Sequence, residues 1–170
     1  MPLDDKPLIQ HVIERGNLPD THLILVANEF EKFAHFALPT FPDLITGKAA
    51  LGGLLSALTY SHTRRVLALA CDMPFINKAL IKYLIKLSPE FDVVVPRAGN
   101  RLHPLHAVYS RACIGPIQAA IQNDELQIQA FYDQVRVRIV EEDELRLYDP
   151  ELRSLVNLNT PDDLDRLRKM

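Results

Sequence analysis

Runs of consecutive apolar residues recur along the chain, at residues 23–26, 66–70 and 93–95. Uninterrupted apolar strands are typical of sheets that are covered on both faces. Helix-like segments separate and follow these runs, at residues 7–15, 29–36, 51–60, 77–87 and 111–122. The alternation predicts an α/β fold: three layers, with a Rossmann-like, open, mainly parallel sheet between helices on both faces.

Three further strands are predicted in the rest of the chain, at residues 105–110, 135–140 and 156–159. In the second of these, apolar residues alternate with Arg136 and Arg138, which indicates a strand with one solvated face. Thr160 and Pro161 suit the N-cap and first position of a last helix. We find no repeat or linker, and therefore expect residues 1–170 to form a single domain.

The composition excludes several classes of protein. The chain has 170 residues, 48% of them hydrophobic, and a net charge of -3. It can therefore bury a core, and its charge favours neither nucleic acid nor an anionic membrane as a partner. Cys71 and Cys113 are too few for a disulfide scaffold, and we interpret both as packing residues. No apolar run reaches the length of a membrane span. The N-terminus carries Asp4 and Asp5, whereas a signal peptide begins with basic residues, so we expect a cytoplasmic setting.

Asn28 and Asp72 follow predicted strands, and a turn follows Asn157 in the last predicted strand. In open α/β sheets, ligands bind outside the carboxyl ends of the strands, so these side chains mark the place to look for a site. Mg²⁺ is commonly held by one or two carboxylates together with water and substrate phosphates. Asp72 is therefore a candidate magnesium ligand, although an Asp before a Pro-containing turn also serves as a simple cap.

Two other segments carry weaker signals. Gly47, Gly52 and Gly53 suit close approach of a ligand to the backbone just before a helix, but a tight turn explains them better. The carboxylate of Asp43 can accept the N1 and N2 donors of guanine, bind a ribose hydroxyl or simply be solvated. His103 and His106 lack the companions of a zinc site, which leaves His103 to donate to a phosphate or to order a loop.

Taken together, five segments resemble motifs of the molybdenum cofactor guanylyltransferases. They occur in the family's order: KPLIQHV at 6–12, LGGL at 51–54 after Asp43, CDMPF at 71–75, HPL at 103–105 and NLNTPDDL at 157–164. The resemblance implies a nucleotidyltransferase that transfers GMP from GTP to Mo-molybdopterin and releases pyrophosphate. It implies GTP and Mo-molybdopterin as partners, together with contacts to cofactor-biosynthesis proteins or molybdoenzyme chaperones. It implies no nucleic acid and no membrane as a partner.

The resemblance also implies a role for particular residues. Asp72 would be the catalytic residue that holds Mg²⁺, the implied cofactor. The nucleotide would contact Asn28, Asp43, Leu51, Gly52, Gly53 and Asp72. The pterin or the phosphate bridge would contact His103, Asn157 and Asn159.

The chain departs from the family at its start. It lacks the family's first strand and the Gly-rich phosphate loop, because only six residues precede the first predicted helix. Residues 23–26 and 66–70 would then each lack a neighbouring strand and leave apolar edges exposed. Two alternatives therefore stay open: a related nucleotidyltransferase that uses CTP or a sugar phosphate, and an inactive binding module.

Overall fold

The computed structural model describes residues 2–158 and residue 163. The strands are β1 (Pro2–Leu3), β2 (Lys6–Pro7), β3 (Leu25–Val26), β4 (Thr40–Phe41), β5 (Arg65–Leu69), β6 (Val93–Ala98), β7 (Arg101–Leu102), β8 (His106–Ser110) and β9 (Val137–Val140). The α-helices are α1 (Leu8–Gly16), α2 (Phe30–Phe33), α3 (Ala49–Tyr60), α4 (Lys78–Leu87), α5 (Ile114–Gln122) and α6 (Glu142–Arg146). Short 3₁₀ turns join several of them.

The central sheet has the order β5-β8-β6-β7, with β9 on β6. Strands β5, β6 and β9 point in the same direction, and β8 runs antiparallel to both of its neighbours. The reversed direction follows from the short β6–β8 connection, which turns through Gly99 at φ 55 and leaves no room for a crossover helix. The mainly parallel α/β sheet is confirmed, with β8 and the two-residue strand β7 as its reversed strands in the described part of the chain.

Helices cover both faces of this sheet, as predicted. On one face, α3 and α5 pack against the side chains of Val93, Val95 and Tyr109. On the other face, α4 and α6 pack against Val94 and Val108. Neighbouring residues of β6 thus enter different cores, which explains why residues 93–96 are apolar without a break.

The ends of several elements agree with the predictions, and others differ. Asn77 caps α4 as predicted, since its Oδ1 accepts hydrogen bonds from the backbone N–H groups of Ala79 (2.9 Å) and Leu80 (3.2 Å). Strand β6 continues through Pro96 instead of ending there, because β9 pairs with it in parallel as far as Val140. The strand predicted at 156–159 is wrong for residues 156–158, which are irregular. Asn159 and the predicted cap at 160–162 lie outside the described residues.

The start of the chain forms a hairpin that the sequence analysis missed. Strands β1 and β2 pair antiparallel around Asp4 and Asp5, which have φ values of 47 and 62. Aspartate is among the residues that tolerate this left-handed region in two-residue hairpins. The hairpin leads directly into α1.

Strands β3 and β4 form a separate parallel pair. Within the described part of the chain, β3 pairs only with β4, and β5 pairs only with β8. In the described part of the chain, β3 and β5 therefore each have one edge without a neighbouring strand, as predicted.

Candidate functional site

Asp72 lies just beyond the carboxyl end of β5. Its Oδ2 accepts a hydrogen bond from Asn157 Nδ2 at 2.8 Å, and its backbone carbonyl accepts one from Leu158 N–H at 2.8 Å. Its Oδ1 is buried and has no hydrogen-bond partner among the described residues. Because an unsatisfied buried carboxylate oxygen is costly, this geometry suits a cation bound at Oδ1.

Asn28 and Asp43 follow β3 and β4 and bind each other in both directions. Asn28 Nδ2 donates to Asp43 Oδ2 at 2.9 Å, and the Asp43 backbone N–H donates to Asn28 Oδ1 at 2.9 Å. Asp43 Oδ1 lies 3.8 Å from the position of a Cβ built on Gly53. The structure therefore brings Asn28, Asp43 and Gly53 together, with one oxygen of Asp43 outside the Asn28 contact.

The segment from Leu51 to Gly53 is helical and is not a turn. It falls in the first turns of α3, which begins at Ala49, two residues earlier than predicted. Leu51 is fully buried in the core, and Gly52 packs against the side chain of Lys48 and the backbone of Ile45. A turn at residues 46–47, with Gly47 at φ 75, precedes the helix as predicted, whereas the prediction is wrong for Gly52 and Gly53, which lie inside α3.

A cavity of about 600 Å³ opens beside these residues, between β3 and β5. Gly53 lies in its wall, as do Ala27, Cys71 and Asp72, which follow the carboxyl ends of the two strands. Among the described residues of its lining, Asp72 is the one charged side chain. The candidate metal ligand Asp72 and the helix α3 therefore lie in the wall of the same cavity.

His103 and His106 are both buried, and neither lines this cavity. Burial lowers the pKa of His103 to about 4, and Arg101 contributes to the shift. Burial likewise lowers the pKa of His106 to about 4, with help from His103 and against the effect of Asp149. Both rings are therefore neutral at pH 7, and His103 is no cation for a phosphate. Neither ring nitrogen of His106 has a hydrogen-bond partner among the described residues.

Two other interpretations from the sequence hold in part. The side chain of Arg136 is mostly exposed, as expected of a solvated face, but it also pairs with Asp92 at 3.1 Å, and the partly buried Arg138 pairs with Glu144 at 2.9 Å. Cys113 is buried in the core as expected, whereas Cys71 is exposed at the mouth of the cavity. The alternation in β9 identified the wetter face but carried no signal for the long-range partners of its arginines.

The donor set argues against an all-protein metal cage. The described residues contain no group of three or more His, Cys, Asp or Glu side chains placed to share a metal ion. A single carboxylate oxygen instead suits a hard cation that keeps its waters and binds phosphates. Among the helices that the structure describes, none has the length and apolar character needed to cross a membrane.

The family model of the MobA-like NTP transferase domain matches residues 1–140 of the chain. The chain belongs to this family. It is therefore a member of a family of nucleotidyltransferases, as the ordered motifs indicated.

Relatives and a solved structure of the family agree with this assignment. The chain is 41% identical to a "Probable molybdenum cofactor guanylyltransferase" of Pelotomaculum thermopropionicum, over 82% of this chain and 68% of that protein. It is 32% identical to the "Molybdenum cofactor guanylyltransferase" of Desulfosudis oleivorans, over 96% and 82%. The structure of "Molybdopterin-guanine dinucleotide biosynthesis protein A" from Archaeoglobus fulgidus superposes with a TM-score of 0.84 and 26% identity, covering 100% of this chain and 90% of that one.

Proposed function

We propose that the chain transfers GMP from GTP to Mo-molybdopterin in the biosynthesis of the molybdenum cofactor. The observation that carries the proposal is the buried, unpartnered Oδ1 of Asp72 at the carboxyl end of β5. The names of the similar guanylyltransferases support the substrates, because they describe this reaction in proteins that align over most of the chain.

In this proposal Asp72 Oδ1 holds Mg²⁺, and the Asn157 amide keeps the carboxylate in place through Oδ2. The bound Mg²⁺ neutralises part of the negative charge that develops on the phosphates. No side-chain nucleophile is required, because the phosphate of molybdopterin attacks the α-phosphate of GTP itself and pyrophosphate leaves. The task of the chain is to hold the two substrates in line.

Asp43 recognises guanine in this proposal. Asn28 engages Asp43 Oδ2, so Oδ1 accepts the N1 or N2 hydrogen of the base. Gly53 adjoins Asp43 and leaves room for the nucleotide. We keep His103, Asn157 and Asn159 as the residues expected near the pterin or the phosphate bridge, with Asn157 contacting Asp72 as well.

The test is a transfer assay with molybdopterin, Mg²⁺ and either α-labelled GTP or α-labelled CTP. We expect label from GTP to appear in a dinucleotide product, and less label from CTP. Equal incorporation of both labels would contradict guanylyl transfer and favour a cytidylyl or less selective enzyme. Binding of GTP without any product would identify the chain as a binding module.

Asp43→Ala is expected to reduce the preference for GTP over CTP about tenfold. This factor corresponds to the binding free energy of one hydrogen bond to a charged group. The affinity for CTP should change little, because cytosine offers no N1–H or N2–H donor to this carboxylate. Competition calorimetry measures both affinities in the presence of Mg²⁺. Asp133→Ala, which removes an exposed carboxylate elsewhere, is the control. An unchanged GTP preference in Asp43→Ala would remove Asp43 from base recognition.

Asn157→Ala is expected to weaken the binding of Mn²⁺, used as a probe for Mg²⁺, about tenfold in the presence of GTP. The reason is that partners that orient a metal ligand typically contribute 10- to 100-fold to metal affinity. Electron paramagnetic resonance of free Mn²⁺ gives the dissociation constant. Asn100→Ala, at an exposed asparagine of the β6–β7 turn, serves as the matched control. The same affinity in both variants would exclude this orienting role.

A further inference from the structure

An arginine of α1 reaches the Asp72 loop, the segment of residues 70–75 that follows β5. Arg15 lies in the last turn of α1 and is partly buried. Its Nη1 donates a hydrogen bond to the backbone carbonyl of Pro74 at 2.8 Å. Pro74 is the second residue after Asp72, and the contact spans 59 residues of sequence. The guanidinium therefore fixes one backbone atom of the Asp72 loop to the end of a helix.

The same guanidinium lies over the ring of Phe75, with 5.6 Å between its Cζ and the ring centroid. This distance is within the range of a cation–π contact. A guanidinium is planar and always charged, so it can bind a carbonyl and stack on an aromatic ring at once. Positive charge in the last turn of a helix is favourable as well, because the helix dipole presents its negative end there. Arg15 thus holds two successive residues of the Asp72 loop.

Residues 157 and 158 support the Asp72 loop from a second direction. Leu158 N–H donates to Asp72 O at 2.8 Å, and Asn157 Nδ2 donates to Asp72 Oδ2 at 2.8 Å. Phe75 packs against the small apolar cluster that contains Leu158. Phe75 therefore contacts both Arg15 and this cluster, and it links the two supports of the loop.

We propose that Arg15 is a positioning residue that holds the carboxylate of Asp72 in the geometry that binds the metal ion. The inference rests on the proposed function, in which Asp72 Oδ1 is the metal ligand. Oδ1 has no partner among the described residues, so the backbone and the contact of Oδ2 determine where it points. Without Arg15, the carbonyl of Pro74 and the ring of Phe75 lose their common partner, and the loop samples a wider range of positions. A metal site tolerates such freedom poorly, because the partners that orient a ligand typically contribute 10- to 100-fold to metal affinity.

The test compares Arg15→Met with Arg15→Lys and with Arg111→Met. Methionine keeps a long apolar side chain but has no donor, whereas lysine keeps a charged donor for Pro74 O. Arg111 is the matched control, since it also donates to backbone carbonyls, those of Leu58 at 3.0 Å and Ser61 at 2.7 Å. It lies beside the amino end of β5, whereas Asp72 lies beyond the carboxyl end. The two methionine variants therefore lose similar contacts in different places.

Arg15→Met is expected to weaken the binding of Mn²⁺ in the presence of GTP about fivefold, less than the loss of a direct partner of the ligand. Arg15→Lys should retain the affinity within about twofold, because a donor to Pro74 O remains, and so should Arg111→Met. Electron paramagnetic resonance of free Mn²⁺ gives the dissociation constants, and thermal unfolding shows that each variant is folded. Equal affinity of the two methionine variants would overturn the proposal. So would a loss in Arg15→Lys as large as that in Arg15→Met.

A second measurement needs no metal and keeps this inference apart from the proposed function. Hydrogen exchange followed by NMR reports the Leu158 N–H, which is bonded to Asp72 O, relative to the amides of β6. In Arg15→Met this N–H should exchange at least about fivefold faster, and in Arg111→Met it should keep its relative rate. Mn²⁺ that binds equally to the unaltered chain and to Asp72→Asn would remove the proposed metal role. An unchanged Leu158 rate in Arg15→Met would instead remove the positioning role of Arg15.

Discussion

Asp72→Asn is expected to weaken the binding of Mn²⁺ in the presence of GTP by more than about 100-fold. A residue that only orients a metal ligand contributes 10- to 100-fold, and the ligand itself contributes more. The substitution keeps the size of the side chain but removes its negative charge. It also leaves the buried Oδ1 position with a neutral group, which binds a hard cation more weakly than a carboxylate does.

The experiment separates loss of the metal from loss of the fold. Thermal unfolding should show that Asp72→Asn is folded, and Mn²⁺ binding is then compared with that of Asp133→Asn, an exposed aspartate elsewhere. We expect the control to retain the affinity of the unaltered chain. Retention of affinity within about threefold in Asp72→Asn would show that Asp72 is not the metal ligand and would remove the main support for the proposed function.

The order and type of most elements could be predicted because their signals are local. The cap of α4 is an example: the oxygen of Asn77 binds two backbone N–H groups within three residues, so the sequence alone reveals it. The consecutive apolar residues of β6 likewise indicate burial on both faces. The direction of β8 follows from the short connection between residues 98 and 106, which leaves no room for a crossover helix, although the sequence analysis did not use this signal.

The site could be predicted in its position but not in its contacts. The rule that ligands bind at the carboxyl ends of strands led to Asn28, Asp72 and the turn after Asn157. It did not reveal that Asn157 contacts Asp72 across a separation of 85 residues. Nor did it reveal that Asn28 holds Asp43, because such reciprocal bonds depend on tertiary geometry.

Two residues show what a short motif does not report. Leu51 belongs to a segment that resembles a nucleotide-binding motif, yet its side chain lies in the core, where burial of a leucine is favourable by about 2 kcal/mol. His106 was considered only as a zinc ligand, and the sequence carried no signal that its ring would be buried without partners. Burial is a property of the whole fold, so a short motif does not report it.

His106 is expected to make the chain sensitive to acid. Its pKa is about 4 in the folded chain, because burial disfavours the charged ring, against an ordinary value of 6.5. Between these two values the unfolded chain binds a proton that the folded chain does not. The resulting stability is fully present above pH 6.5 and is lost as the pH falls to 4. For this single group the loss is about 3 kcal/mol in the free energy of unfolding. The lowered pKa of His103 acts in the same direction.

His106→Leu removes the titrating ring together with its two unpartnered nitrogens and should reduce the loss of stability between pH 7 and 4 by about 3 kcal/mol. Urea unfolding followed by circular dichroism at several pH values measures the difference. Carboxylates that do not interact with His106 contribute equally to both proteins, so the comparison reports His106 together with its coupling to His103 and Asp149. His62→Leu, at an exposed histidine, should leave the pH dependence unchanged. Parallel curves for the unaltered chain and His106→Leu from pH 7 to 4 would show that this ring is not held neutral by the fold.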